Sequence, residues 1–164
     1  MLIVITGLPG TGKTTIAEGL AKDIDAVVLS TDKIRKKIFE KPVYNEEDKR
    51  IVYNEIFSQT SENLSKDKNV ILDGTFYTKA LRKRAKEVGV LFGINVYFVY
   101  CETPEEILKE RIENRKDKYS DADYSVYLKM KKIFEEFEEE VIKIDTSHNL
   151  SDNVETIKTK IYSM

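Results

Sequence analysis

Gly7-Leu8-Pro9-Gly10-Thr11-Gly12-Lys13-Thr14 packs three glycines, a lysine and a terminal hydroxyl into eight residues, and that combination suits the holding of phosphate. It fits the pattern G-x-x-x-x-G-K-[ST], and both flanks agree: an apolar strand precedes it and an amphipathic helix follows. Glycines permit the backbone conformations and close approach by which successive N–H groups surround phosphate oxygens. The positive end of the following helix adds to that field. Lys13 is expected to reach the β- and γ-phosphates of a nucleotide as a point charge. The Thr14 hydroxyl is expected to ligate Mg²⁺, with Thr15 as a further phosphate contact. The alternative for this segment is a glycine-rich turn that merely caps a helix.

Transfer of a phosphoryl group to an alcohol needs a residue that orients the attacking hydroxyl and can accept its proton, together with cations for the developing charge. Asp32 is the candidate for the first task. It stands just beyond the second apolar run, where open α/β sheets place their ligands, and it also reads as an acid in the first turn of a helix after Thr31. Arg35 shares its helix face and could hold the acceptor or the acceptor's phosphate. The third run, Val70-Ile71-Leu72, closes on Asp73, which is either the acid that orients Mg²⁺ or part of an Asp-Gly turn. Arg111 and Arg115 lie four residues apart on a helix face, ahead of the polar stretch 116–121. That arrangement reads as a closing lid whose arginines reach the transferred group, or as surface arginines beside Glu110 and Glu113.

These side chains need a frame, and the apolar pattern supplies one. Five short runs are read as buried strands: Leu2–Thr6, Ala26–Ser30, Asn69–Asp73, Asn95–Cys101 and Val141–Asp145. Helical periodicity fills the intervals at Lys13–Asp23, Thr31–Glu40, Glu46–Lys66, Thr78–Gly89, Pro104–Arg115, Asp121–Glu139 and Ser151–Tyr162. Strand and helix in alternation predict an α/β fold, a parallel sheet covered by helices on both faces. Thr103 is read as a capping hydroxyl ahead of Pro104, and the acids at 135–136 and 138–140 as the solvated face of a helix.

The 164 residues match one domain, with 41% hydrophobic and 34% charged residues. Twenty-seven basic against 29 acidic residues give a net charge of −2 and no global electrostatic case for nucleic acid. One cysteine, Cys101, excludes an intrachain disulfide, and with one histidine a structural metal is not expected. The apolar start, Leu2–Ile5, is too short for a signal peptide or a membrane span, so a cytoplasmic setting without membrane contact is expected.

The chain resembles the small predicted kinases of the P-loop superfamily related to the kinase domain of polynucleotide 5′-hydroxyl kinases, with seryl-tRNA(Sec) kinase and the zeta toxins as more distant relatives. The likeness is carried by the loop at 7–14, Ser-Thr-Asp-Lys-Ile-Arg at 30–35, Val-Ile-Leu-Asp-Gly-Thr-Phe at 70–76, Leu-Lys-Glu-Arg-Ile-Glu-Asn-Arg at 108–115, and Ser-Asp-Ala-Asp-Tyr-Ser-Val-Tyr-Leu-Lys-Met-Lys at 120–131. It implies a three-layer P-loop NTPase fold of the nucleoside-monophosphate-kinase type with a lid. It further implies an ATP:alcohol kinase in which Asp32 activates the acceptor hydroxyl, Arg35 contacts the acceptor, and Arg115 or Arg111 clamps ATP phosphates. Asp73 and Thr75 would line the site, and the loop Thr146-Ser147-His148-Asn149 would border the adenine.

ATP and Mg²⁺ are thus the expected cofactors, and the first expectation for the acceptor is a nucleic-acid 5′ end. Lys33, Arg35, Lys36 and Lys37 could supply phosphate contacts, and Phe39, Tyr44, Phe76 and Tyr77 base stacking. A small-molecule kinase acting on a sugar, nucleoside, amino-acid derivative or aminoglycoside is the alternative enzyme. An ATP-dependent switch without an acceptor is the alternative outside catalysis. The sequence leaves the oligomeric state open.

Overall fold

The computed structural model describes residues 1–114 and 124–164. Strands β1 (Leu2–Thr6), β2 (Ala26–Ser30), β3 (Asn69–Asp73), β4 (Val96–Glu102) and β5 (Val141–Asp145) form one sheet in the order β2-β3-β1-β4-β5. Every pairing is parallel, as the alternation of strand and helix requires. Helices α1 (Lys13–Ile24), α2 (Thr31–Ile38), α3 (Glu46–Leu64), α4 (Lys79–Phe92), α5 (Glu105–Glu113), α6 (Tyr124–Ile133) and α7 (Leu150–Ser163) complete the described chain.

Strand β1 shows why three layers form. Its side chains alternate, so Leu2 and Val4 enter a core with Val52, Ile56 and Phe57 of α3 and Ala85 of α4. Ile3 and Ile5 enter a second core with Ile16 and Leu20 of α1 and Ile157 and Ile161 of α7. A strand buried on both faces carries no polar alternation, and Leu2 through Ile5 are all fully buried. A third cluster joins Leu8 of the glycine-rich loop to Leu108 and Ile112 of α5 and Tyr127 of α6.

Two boundaries depart from the sequence pattern for reasons that touch the site. Helical periodicity runs through Glu139, yet α6 ends at Ile133 and residues 134–140 are irregular. The fully buried Arg82 draws this segment off the helix path: its guanidinium donates to the carbonyls of Glu135 at 3.1 Å, Glu136 at 2.7 Å and Phe76 at 2.9 Å, and to the Glu139 carboxylate at 3.2 Å. The amide of Glu135 donates to Tyr77 O at 2.8 Å instead of to its own helix. The acidic run is therefore not one solvated helix face; Glu139 is a buried partner of Arg82. At the start of α5 the expected cap is also absent, because Pro104 occupies the cap position and the buried Thr103 hydroxyl finds no hydrogen-bond partner. Elsewhere caps do form: Asn45, Thr78 and Asn149 each accept an amide of the first turn that follows. Asn149 thereby starts α7 one residue ahead of the expected Ser151.

Candidate active site

The glycine-rich loop leaves the carboxyl end of the central strand and returns as α1. Gly7 sits at φ 149°, and a Cβ there would stand 2.5 Å from the Cys101 carbonyl oxygen, so the loop lies against β4 at a distance no side chain allows. Gly12 is the N-cap of α1 in the left-handed region at φ 76°. Between them the Thr11 hydroxyl donates to Leu8 O at 2.7 Å and the Thr11 amide to the same carbonyl at 3.3 Å, which closes the loop on itself. Lys13 Nζ donates to Leu8 O at 2.9 Å and so lies across the loop it serves.

Strand register brings the next group in. The β1–β3 ladder pairs Ile5 with Asp73, which places that carboxylate at the sheet edge beside the start of α1. The Thr14 hydroxyl donates to Asp73 Oδ2 at 2.7 Å. Asp73 is buried, and burial raises its carboxyl above the ordinary value of 3.8, against the lowering influence of Lys13 and of the hydrogen bond from Thr14. Neighbouring hydroxyl and carboxylate oxygens suit Mg²⁺, a hard cation that takes one or two protein oxygens and completes its shell with water and substrate phosphate. Among the described residues no cluster of three or more histidine, cysteine or acidic side chains offers a metal a cage of its own.

The opposite wall comes from α2, α3 and the turn between them. Asp32 and Arg35 stand one turn apart on α2, and Arg35 Nη1 donates to Asp32 Oδ1 at 2.8 Å. The Arg35 side chain is only 9% exposed and its guanidinium lies 4.7 Å from the centre of the Tyr44 ring. Tyr44 itself is held at φ 60°, a conformation a bulky residue seldom adopts. The turn around it is pinned by Asp48, whose carboxylate accepts the Val43 amide at 3.0 Å, and by Asn45, whose side chain accepts the Asp48 amide at 2.8 Å. Further along α3, Lys49 and Tyr53 share one face at i, i+4 spacing. Lys49 Nζ lies 5.1 Å from the centre of the Tyr77 ring, and the Tyr53 hydroxyl accepts the Phe76 amide at 3.1 Å.

Both walls face one cavity of about 420 Å³. Lys13, Thr14, Thr15 and Asp73 line it on the phosphate-loop side, and Asp32, Arg35, Tyr44, Lys49, Tyr53 and Tyr77 on the other, with Thr75 between. Pro9, Gly10 and Gly12 of the loop also line it, whereas Gly7, Leu8 and Thr11 shape the loop from behind. Arg111 reaches the cavity from α5. Its guanidinium donates to the Thr146 hydroxyl at 2.9 Å and to Thr146 O at 2.7 Å, while the Thr146 hydroxyl donates to Thr11 O at 2.8 Å. The arginine is thereby fixed beside the phosphate loop and the loop that begins α7. Arg115 and the stretch 116–121, read from the sequence as a lid, fall outside the described residues.

The structure separates side chains that the sequence groups together. Lys33, Lys36 and Lys37 do not line the cavity, and Lys33 is paired with Glu18 at 3.2 Å on the exposed side of α2. Of the four aromatics expected to stack bases, Phe76 is fully buried in the core and Phe39 packs against it, while Tyr44 and Tyr77 do face the cavity. Lys49 and Tyr53 belong to the site without having been expected there. Their only signal in the sequence is a lysine and a tyrosine four residues apart near the start of an amphipathic helix, which most helices could show.

A family model described as "AAA domain" matches residues 2–137. An uncharacterised protein of Mycobacterium tuberculosis is 28% identical over 133 residues, covering 74% of this chain and 27% of its own length. The L-seryl-tRNA(Sec) kinase of Methanococcus maripaludis is 29% identical over 116 residues, covering 68% of this chain and 44% of its own. The chain thus spans less than half the length of either curated relative. Among solved structures, a sugar kinase from Janibacter sp. HTCC2649 superposes with a TM-score of 0.76 at 19% identity, covering 96% of this chain and 92% of that one. At that identity the likeness is one of fold.

Proposed function

The chain belongs to the AAA-domain family, matched over residues 2–137, and from that premise we propose that it is an ATP-dependent kinase transferring the γ-phosphoryl group to an alcohol. The observation that carries this reading is one cavity lined both by the phosphate loop and by a carboxylate, Asp32, held by Arg35. A switch that only bound ATP would have no use for the second wall.

In this reading the triphosphate lies along 7–14, with loop N–H groups and Lys13 against its β- and γ-oxygens. Thr14 and Asp73 would hold Mg²⁺, which would neutralise phosphate charge. The acceptor enters from the tyrosine side, where Asp32 accepts a hydrogen bond from its hydroxyl. The alcohol oxygen forms a bond to the γ-phosphorus, the bond from that phosphorus to the β,γ-bridging oxygen breaks, and its electron pair leaves with ADP. The hydroxyl proton passes to Asp32. Held in place by Arg35, the Asp32 carboxylate contributes chiefly orientation, as suits a loose transition state with little proton transfer before bond formation. Arg111, fixed by Thr146 beside Gly12, adds positive charge near the phosphates and keeps water from competing.

For the acceptor, a compact molecule is favoured over a polynucleotide 5′ end. The lysines that would track a phosphate backbone lie off the cavity, and one expected stacking ring, Phe76, belongs to the core. The similar proteins include a seryl-tRNA(Sec) kinase and a sugar kinase. The deciding experiment incubates the protein with Mg²⁺ and γ-labelled ATP against 5′-hydroxyl oligonucleotides, nucleosides, sugars and hydroxy acids. Label on a small alcohol supports the compact acceptor, and label on oligonucleotide ends reverses that preference. ATP binding with no transfer to any acceptor of the panel counts against the kinase reading.

A further inference from the structure

The charges on the acceptor wall do not balance. Arg35 and Lys49 are cations lining the cavity, and Asp32 is the carboxylate that faces them there. Arg35 spends Nη1 on Asp32, yet its Nε is buried with no hydrogen-bond partner. A buried guanidinium donor left unmade is costly, on the order of 1–3 kcal/mol, so the charge of Arg35 is not fully matched by its protein neighbours. Lys49 is 19% exposed in its side chain and reaches Glu46 at 3.2 Å, but Glu46 is 85% exposed and does not line the cavity. An i, i+3 pair with one partner in solvent neutralises little of the field felt inside the cavity.

The rings sharpen the point. Arg35 lies over Tyr44 and Lys49 over Tyr77, so each cation is backed by an aromatic face that fixes its position and limits its hydration. Tyr44 holds its place in a left-handed backbone conformation secured by Asp48 and Asn45. Uncommon backbone held by dedicated hydrogen bonds clusters where a side chain must stand at one spot for a ligand. Among the described residues of this wall, two oriented cations against one carboxylate leave one positive charge to be matched.

Resting on the reading of this wall as the acceptor site, we infer that the acceptor carries, besides its hydroxyl, an anionic group of carboxylate or phosphate-ester type that seats between Arg35 and Lys49. Lys49 then determines specificity: it selects anionic hydroxy compounds over neutral sugars and polyols of the same size. Arg35 presents its guanidinium charge to the anion from the cavity wall while Nη1 keeps Asp32 aimed at the hydroxyl.

The test needs no phosphoryl transfer, so its failure is separable from failure of the kinase reading. With the phosphate loop filled by Mg²⁺ and a non-hydrolysable ATP analogue, the protein is titrated with glycerol phosphate, glycerate, inorganic phosphate and glycerol, read by calorimetry and tyrosine fluorescence. At least one anion is expected to bind saturably at one equivalent and at least tenfold more tightly than glycerol. Lys49→Gln is expected to weaken it tenfold or more while leaving affinity for the ATP analogue unchanged. Preference for glycerol phosphate identifies a phosphate ester as the group recognised, and preference for glycerate a carboxylate. The inference is overturned if no anion binds saturably, if glycerol binds equally well, or if Lys49→Gln, folded by circular dichroism, binds the anion as the parent does.

Discussion

The Thr14 hydroxyl lies 2.7 Å from Asp73 Oδ2, although the two residues are 59 apart in sequence. Parallel pairing of β1 with β3 makes this contact, since it sets the end of β3 beside the loop that leaves β1. The pair sits in a buried corner, and burial outweighs the favourable influence of Lys13 and of the hydrogen bonds from Thr14 and Ser30, raising the Asp73 carboxyl above 3.8. For an acid raised on folding, the folded state favours the protonated form, so the protein loses stability as pH rises through the unfolded and then the folded value. Asp73→Asn is therefore expected to stabilise the ligand-free protein at neutral pH by about 0.5–2 kcal/mol, as residues kept for function often allow. The gain should shrink as pH falls toward 3.8 and be accompanied by loss of turnover. Urea midpoints at several pH values check this, and a variant less stable at pH 7 would contradict it.

Asp32 and Lys13 lie on opposite walls of the cavity, and their substitutions should separate binding from chemistry. Asp32→Ala is expected to lower kcat by roughly 10²–10⁴-fold with nucleotide affinity unchanged. Lys13→Ala should lose affinity and turnover together. Equilibrium binding of a nucleotide analogue beside initial rates distinguishes the two patterns, and unchanged turnover in Asp32→Ala would remove its assigned role.

Arg82 ties residues 135–139 to the turn at Phe76 through four hydrogen bonds, of which the one to Glu139 is also an ion pair. Its guanidinium also lies 5.7 Å and 4.6 Å from the ring centres of Phe134 and Phe137, and the residue is fully buried. Arg82→Met leaves a carboxylate and backbone carbonyls without partners, and a loss of about 3–5 kcal/mol is expected. Adding Glu139→Gln should restore part of that loss. Denaturant unfolding of both variants gives the answer, and a loss below about 1 kcal/mol would mean that solvent satisfies the segment.

Cys101 is buried behind the phosphate loop, and burial pushes its thiol up to about 12. Thiolate is the reactive form, so at pH 8 the native protein should resist iodoacetamide and react readily only when unfolded. Mass spectrometry after timed alkylation reads this directly. Rapid modification of the folded protein would place the β4 edge in solvent.

Gly7 through Thr14 was legible as a phosphate site because a contiguous stretch supplies its own chemistry: backbone N–H groups, one lysine and one hydroxyl, placed by a strand before and a helix after. The five strands were legible for a similar reason, since burial on both faces demands an unbroken apolar run, and each boundary falls within one residue of that run. Asp73 could be singled out because it ends such a run, and Asp32 because it follows one by two residues. The acceptor wall could not be read this way. Arg35, Tyr44, Lys49, Tyr53 and Tyr77 come from two helices and two turns, and nothing local distinguishes Tyr77 at the cavity from Phe76 in the core. The end of α6 was equally hidden, because the residue that breaks the helix, Arg82, is more than 50 positions away from the carbonyls it takes. Sequence alone marked the proposed phosphate loop, since that segment depends on neighbours along the chain. Tertiary structure alone decided what faces it, since that wall depends on helices packed side by side.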